Sequence, residues 1–146
     1  YYVYKEKGYM EDKAILKETE PFKALADEKL TEPVGEALVV LGGEKSKIRA
    51  GETNLGNLIT DAMMDKVDAD IAFQNGGGIR ASIAPGTITY RDILTVQPFG
   101  NTLVELNMTG AQVLEVLNFA STISPGSGAF LHVGGIEYTM NRKIKK

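Results

Sequence analysis

The run Phe73-Gln74-Asn75-Gly76-Gly77-Gly78-Ile79-Arg80 gathers residue types that hold anions and polyols. Successive glycines let a backbone take positive φ and let another group come close. Consecutive N–H groups in such a turn can form an anion-receptive nest. Asn75 adds an amide with donors and an acceptor. Arg80 adds a planar, permanently charged fork that fits phosphates and vicinal hydroxyls. A plain glycine-rich turn with a surface arginine is the alternative. A second candidate is Gln97-Pro98-Phe99-Gly100-Asn101. Phe99 stands between a proline and a glycine, where a loop is expected. It is either half-buried packing or a rigid face on which a nucleobase stacks, a contact of about 1–3 kcal/mol. Asn101 would then meet the polar base edge.

Other chemistries find less support. Metal catalysis needs converging His, Asp and Glu ligands. The chain has one histidine, His132, set between Leu131 and Val133, and it reads as a packed structural residue. There is no cysteine, hence no disulfide framework and no thiolate site. No Gly-x-Ser-x-Gly occurs, so a nucleophilic triad is unsupported. Glu52 and Asp61 fall at a helix start or face and read as structural carboxylates.

The elements that must position these residues follow from pattern. Tyr2-Val3-Tyr4 and Ala14-Ile15-Leu16 read as short strands. Pro21 is expected to open a linking helix running to about Leu30. Ala37 to Leu41 is an apolar run closed by Gly42-Gly43 and reads as a buried strand. Leu55, Leu58, Ile59, Ala62 and Met63 share one helical face, with Thr53 or Asn54 as cap. Asp70 to Gln74 is a strand entering the glycine run. Ala84-Pro85-Gly86 is a turn, and Thr89 caps a short helix over 90–94. A strand is expected over 102–108. Thr109 and Gln112 form a capping box for a helix carrying Val113, Leu114, Leu117 and Ala120. Residues 121–128 read as a Ser/Gly/Pro loop. Residues 130–133 and 136–140 read as a hairpin about Gly134-Gly135. The mixture indicates an α/β or α+β domain.

Length and charge set bounds. With 146 residues and 43% hydrophobic content, one domain with a real core is expected. The net charge is −3, and no basic stripe suggests a nucleic-acid polymer. The cluster Arg142-Lys143-Ile144-Lys145-Lys146 reads as a solvated tail or the cut end of a strand. No run reaches the ~18 apolar residues of a membrane span, and no signal-peptide pattern opens the chain. A start at Tyr1 is expected of a fragment of a longer protein.

Taken in order and spacing, three segments resemble the C-terminal substrate-binding domain of the 5′-nucleotidase family. They are Gly51-Glu52-Thr53-Asn54-Leu55-Gly56-Asn57-Leu58-Ile59-Thr60-Asp61-Ala62-Met63, then Gly76-Gly77-Gly78-Ile79-Arg80, then Gln97-Pro98-Phe99-Gly100-Asn101. The family includes ecto-5′-nucleotidases, periplasmic UDP-sugar hydrolases and 2′,3′-cyclic nucleotide 2′-phosphodiesterases. The resemblance runs from about Glu32 to Met140. It implies a four-layer α/β/β/α sandwich over 32–146, preceded by an extension and linker helix over 1–31. It implies that Phe99 stacks on the base, with Asn101 beside the base edge. Arg80 and Arg49 would face the ribose and α-phosphate, and Asn75 and Gly77 would contact the nucleoside. For Arg49, a solvated surface arginine is the alternative.

The family's base clamp uses two phenylalanines, the second in a late Asn-x-Phe-x-x-x-Gly-Gly-Asp-Gly-like segment that this chain lacks. The expected sandwich is therefore incomplete, and edge-paired or domain-swapped dimers are expected of it. The Asp-x-His and Gly-Asn-His-Glu/Asp motifs that hold two divalent metal ions in the family's N-terminal metallophosphoesterase domain are also absent. The resemblance thus implies a nucleotide-binding domain with no cofactor of its own. That domain works beside a catalytic one and is inactive alone, in a secreted, periplasmic or surface-bound parent. A stand-alone nucleoside-binding module and a non-catalytic dimerisation domain are the rival readings.

Overall fold

Asp12 opens the first helix, its carboxylate accepting the N–H groups of Ala14 and Ile15. That satisfies donors with no intrahelical partner. The computed structural model describes residues 12–140; the readings at 2–4 and 142–146 lie outside the described residues. Along the chain come α1 (Lys13–Leu30), β1 (Pro33–Ala37), α2 (Lys45–Ile48), α3 (Asn54–Val67), β2 (Ala72–Asn75), a 3₁₀ turn (Gly76–Gly78), β3 (Gly86–Thr89), α4 (Tyr90–Val96), α5 (Gly110–Thr122) and β4 (Leu131–Gly134). The mixed helix and sheet class is as expected.

The caps read from the sequence are present. Thr53 accepts the Gly56 N–H at the head of α3. Thr109 and Gln112 form the box that starts α5. Asp92 accepts from both the N–H and the hydroxyl of Thr89 at the head of α4. Asp68 closes α3 in the left-handed region, at φ 55°.

Among the described residues two antiparallel ladders carry the sheet structure, β1 with β3 and β2 with β4. The β2–β4 register runs from Ala72↔Gly134 to Asn75↔Leu131, which puts the end of β2 beside the start of β4. The core gathers Ala37, Ile48, Leu55, Ile79, Ile83, Ile88 and Val96. Ile48 sits at 0% exposure and Leu55 and Ile79 at 2% each, so the residues flanking Arg49 and Arg80 in sequence are anchored in it.

Several expectations are corrected. Residues 14–16 are helical, and Pro21 lies inside α1 rather than at its start. Proline removes one helical donor, but α1 has no buried residue, so water can satisfy the freed carbonyl. The apolar run 37–41 is not a buried strand: β1 ends at Ala37, and Leu38 is 87% exposed. Its partner β3 reaches only Gly86 opposite Ala37, and beyond it Leu41 makes a single bridge to Ile83. Residues 102–108 form no strand, having no ladder partner among the described residues. The 130–140 hairpin is absent as well. Gly135 turns at φ +79°, and β4 spends its ladder on β2 instead.

Candidate functional site

The glycine run works differently from expectation. None of Gly76, Gly77 and Gly78 takes positive φ. What they supply is closeness. A Cβ on Gly76 would come within 2.4 Å of the Ile48 carbonyl oxygen, and one on Gly77 within 2.9 Å of Gly128 Cα. The N–H groups of Gly76 and Gly77 donate to the carbonyls of Phe130 and Gly128, each at 2.7 Å. The expected anion nest is therefore turned inward at these two positions, stitching the turn to the loop before β4.

Arg80 follows the turn, two residues after Gly78. Its N–H donates to the Val96 carbonyl at 2.9 Å, tying the turn to the end of α4. Its guanidinium donates to the Gly77 carbonyl at 3.3 Å and lies 5.7 Å from the centre of the Phe99 ring. A guanidinium over an aromatic face is attracted by the ring quadrupole. The ring is still 56% exposed, on a loop that turns at Gly100 with φ +61°. A phenylalanine so exposed contributes little to the core and presents an open face to solvent. Asn101 follows on the same loop, exposed.

Arg49 ends α2. Its guanidinium lies along Gly128, where a Cβ would sit 3.6 Å from Nη1. Its Nε is buried without a hydrogen-bond partner. Neither Arg49 nor Arg80 forms an ion pair among the described residues. Asn75 Nδ2 donates to the Gly128 carbonyl at 3.2 Å. Gly128 is thus the common neighbour of Arg49, Asn75 and Gly77. The contacts bring together Arg49, Asn75 and Gly77 around Gly128; Arg80 joins them through the Gly77 carbonyl, and Phe99 through Arg80. Asn101 joins them only by its place on the Phe99 loop.

Sequence reasoning passed over Gly128 and its neighbours as a plain loop. The only signal was the small-residue run Ser124-Pro125-Gly126-Ser127-Gly128. His132 is packed as expected, at 3% exposure, with its Nε2 2.7 Å from the Ile48 carbonyl oxygen. Glu52 accepts from Asn57 Nδ2 at 2.6 Å, a structural role. No cluster of three or more His, Cys, Asp or Glu suited to a metal occurs among the described residues. A cleft of about 660 Å³ bounded by Glu52, Phe130 and Tyr138 includes none of the candidate residues.

Comparison with known proteins bears on the family and the fold. The family profile described as 5′-nucleotidase, C-terminal domain, matches residues 33–146. The chain is 39% identical to a 5′-nucleotidase of Vibrio vulnificus over 97% of its own length and 26% of that protein. It is 44% identical to a trifunctional nucleotide phosphoesterase of Bacillus subtilis over 88% of its length and 9% of that protein. Among solved structures it is similar to the 5′-nucleotidase precursor of Thermus thermophilus. The TM-score is 0.69 and the identity 44%, over 82% of this chain and 24% of that one. The chain therefore spans about a quarter or less of the length of these relatives. With the profile covering most of its residues, the chain belongs to the 5′-nucleotidase C-terminal domain family.

Proposed function

We propose that residues 32–146 form the nucleotide-holding domain of a phosphoesterase that hydrolyses nucleoside phosphates in nucleotide catabolism, with residues 1–31 as extension and linker helix. Phe99 offers the stacking face and Asn101 the polar base-edge contact. Arg80 and Arg49 face the ribose and α-phosphate, and Asn75 orients the nucleoside. Gly77 acts through its carbonyl, which holds Arg80. The observation that carries the reading is the pairing of an exposed phenylalanine with an arginine that has no carboxylate partner among the described residues. An aromatic face beside a guanidinium whose charge no carboxylate offsets suits a ligand with a flat base and an anion.

The bond-breaking step belongs, in this reading, to an N-terminal metallophosphoesterase domain holding two divalent ions, which activate water and stabilise charge on the phosphoryl group. The donors among the described residues do not make such a site. Its part is to fix the substrate in line, a contribution of orientation, and alone it is inactive. The resemblance supports a secreted, periplasmic or surface-bound parent. No described helix is long and apolar enough to cross a membrane. The apolar residues of 103–108, without a ladder partner among the described residues, support edge pairing or swapping between copies of this chain. The test is the full coding sequence: an upstream segment with Asp-x-His and Gly-Asn-His-Glu/Asp motifs is expected, and its absence would refute the parent activity.

A further inference from the structure

We infer that His132 is a positioning residue for Arg49, setting where that guanidinium meets a substrate phosphate. The inference rests on the proposed role of Arg49. His132 Nε2 lies 2.7 Å from the carbonyl oxygen of Ile48, 84 residues away in sequence. A carbonyl can only accept, so Nε2 carries the proton and the tautomer is fixed. The ring cannot retreat. Gly56 of α3 is pressed against Nδ1, so closely that a Cβ there would come within 2.2 Å. Phe130 meets the ring edge-on at 5.4 Å between centroids.

The carbonyl that His132 grips belongs to the peptide group before Arg49. The carbonyl of the peptide group after Arg49 accepts the Gly126 N–H at 2.8 Å. Both peptide planes around the Arg49 Cα are therefore pinned by the single segment Gly126–His132, which fixes the direction in which its Cα–Cβ bond leaves the backbone. The same segment receives the N–H groups of Gly76 and Gly77 and the amide of Asn75. A residue needed only for packing would require no donor at this position. His132 supplies one, and it is spent on the carbonyl next to Arg49.

Two substitutions separate positioning from packing. His132→Gln places an amide N–H at the same number of bonds from Cα as Nε2. His132→Asn places its amide where Nδ1 stood, out of reach of Ile48. Affinities for AMP and for adenosine, which lacks the phosphate, are measured by calorimetry on the whole chain. His132→Asn is expected to weaken AMP about tenfold, on the scale of a charge-assisted bond, and adenosine less than about twofold. His132→Gln should keep the wild-type AMP-to-adenosine ratio. In an Arg49→Ala background, His132→Asn should cause no further loss. Equal losses for both ligands, an unchanged ratio in His132→Asn, a His132→Gln as impaired as His132→Asn, or unfolding of both variants would overturn the proposal in favour of a general structural role. A wild type that binds neither ligand, or an Arg49→Ala variant with an unchanged ratio, would instead refute the functional reading itself.

Discussion

Alanine at each of the three consecutive glycines should destabilise the chain in the order Gly76, Gly77, Gly78. A Cβ on Gly76 would stop 2.4 Å from the Ile48 carbonyl oxygen, about 1 Å short of the ordinary contact that begins near 3.4 Å. That oxygen is backbone and is held by His132, so it cannot yield cheaply. Overpacking costs typically 1–3 kcal/mol. The 2.7 Å bond from the Gly76 N–H to Phe130 would weaken too, worth about 1 kcal/mol. Against this, alanine removes about 0.4–1 kcal/mol of unfolded-state entropy. Gly76→Ala should therefore cost about 3 kcal/mol. At Gly77 the clash is with Gly128 backbone at 2.9 Å, half as deep, and about 2 kcal/mol is expected. At Gly78 the obstacle is the Gln74 side-chain amide at 2.4 Å. That group can turn away by giving up its bond to the Asn75 carbonyl, at about 1 kcal/mol. Gly51 has nothing within 4 Å of its built Cβ and serves as control, with a change under about 0.5 kcal/mol. Urea unfolding followed by circular dichroism reads the order as shifts of midpoint at constant slope. Equal losses at Gly76 and Gly78, or a Gly76→Ala variant as stable as Gly51→Ala, would refute the argument from close approach.

Phe99→Ala should leave the unfolding midpoint nearly unchanged, since the ring is 56% exposed, while AMP affinity falls about 5- to 160-fold, the equivalent of the stacking term; unfolding on substitution would make Phe99 a core residue instead. Asp92 has its carboxyl held below the ordinary 3.8 by hydrogen bonds from the Thr89 hydroxyl and N–H. A depressed carboxylate stabilises above its unfolded pKa and loses that contribution as pH falls through the folded one. Asp92→Asn should thus cost about 0.5–1 kcal/mol at pH 7, a difference that disappears as pH falls below 3.8 and through the lowered folded value; a pH-independent difference would contradict the assignment. Arg91→Ala breaks the exposed pair with Asp27 that joins α4 to α1 and should cost less than about 1 kcal/mol by thermal melting; a larger loss would mean that α1 is integral to the fold. The exposed apolar residues Val104 and Leu106 predict self-association in sedimentation, which lysine at both positions should abolish; a chain monomeric at every concentration would refute edge pairing.

Local signals in the sequence carried well where the chain's own neighbours decide the outcome. Thr53, Thr89 and Thr109 cap the helices they were expected to cap, because a hydroxyl and the next free N–H groups are a matter of a few residues. Edges carried poorly. Val39, Val40 and residues 103–108 have strand composition, but a strand exists only where another supplies its ladder, and no local pattern reveals the partner. The candidate residues were readable as residue types, and of the two backbone readings open for the glycine run the plain close-packed turn is the one present. Arg80 lies over the Phe99 ring, a contact no local pattern announced, and the glycine N–H groups at 76 and 77 turn inward because the loop at Gly128 lies against them. That contact spans some fifty residues of sequence and was invisible in a run of small residues. Pro21 inside α1 shows the same limit from the other side: an exposed helix tolerates a breaker that a buried one would not.

In the proposed function nucleotide binds between the Asn75–Arg80 turn and the Phe99–Asn101 loop. The most direct test is a two-dimensional NMR titration of this chain with AMP, repeated on Phe99→Ala and Arg80→Ala. Saturable shifts concentrated at Asn75–Arg80 and Phe99–Asn101, lost in both variants while the rest of the spectrum stays folded, are expected. A well-folded wild type whose resonances do not move, or shifts centred elsewhere and indifferent to the two substitutions, would contradict the assignment.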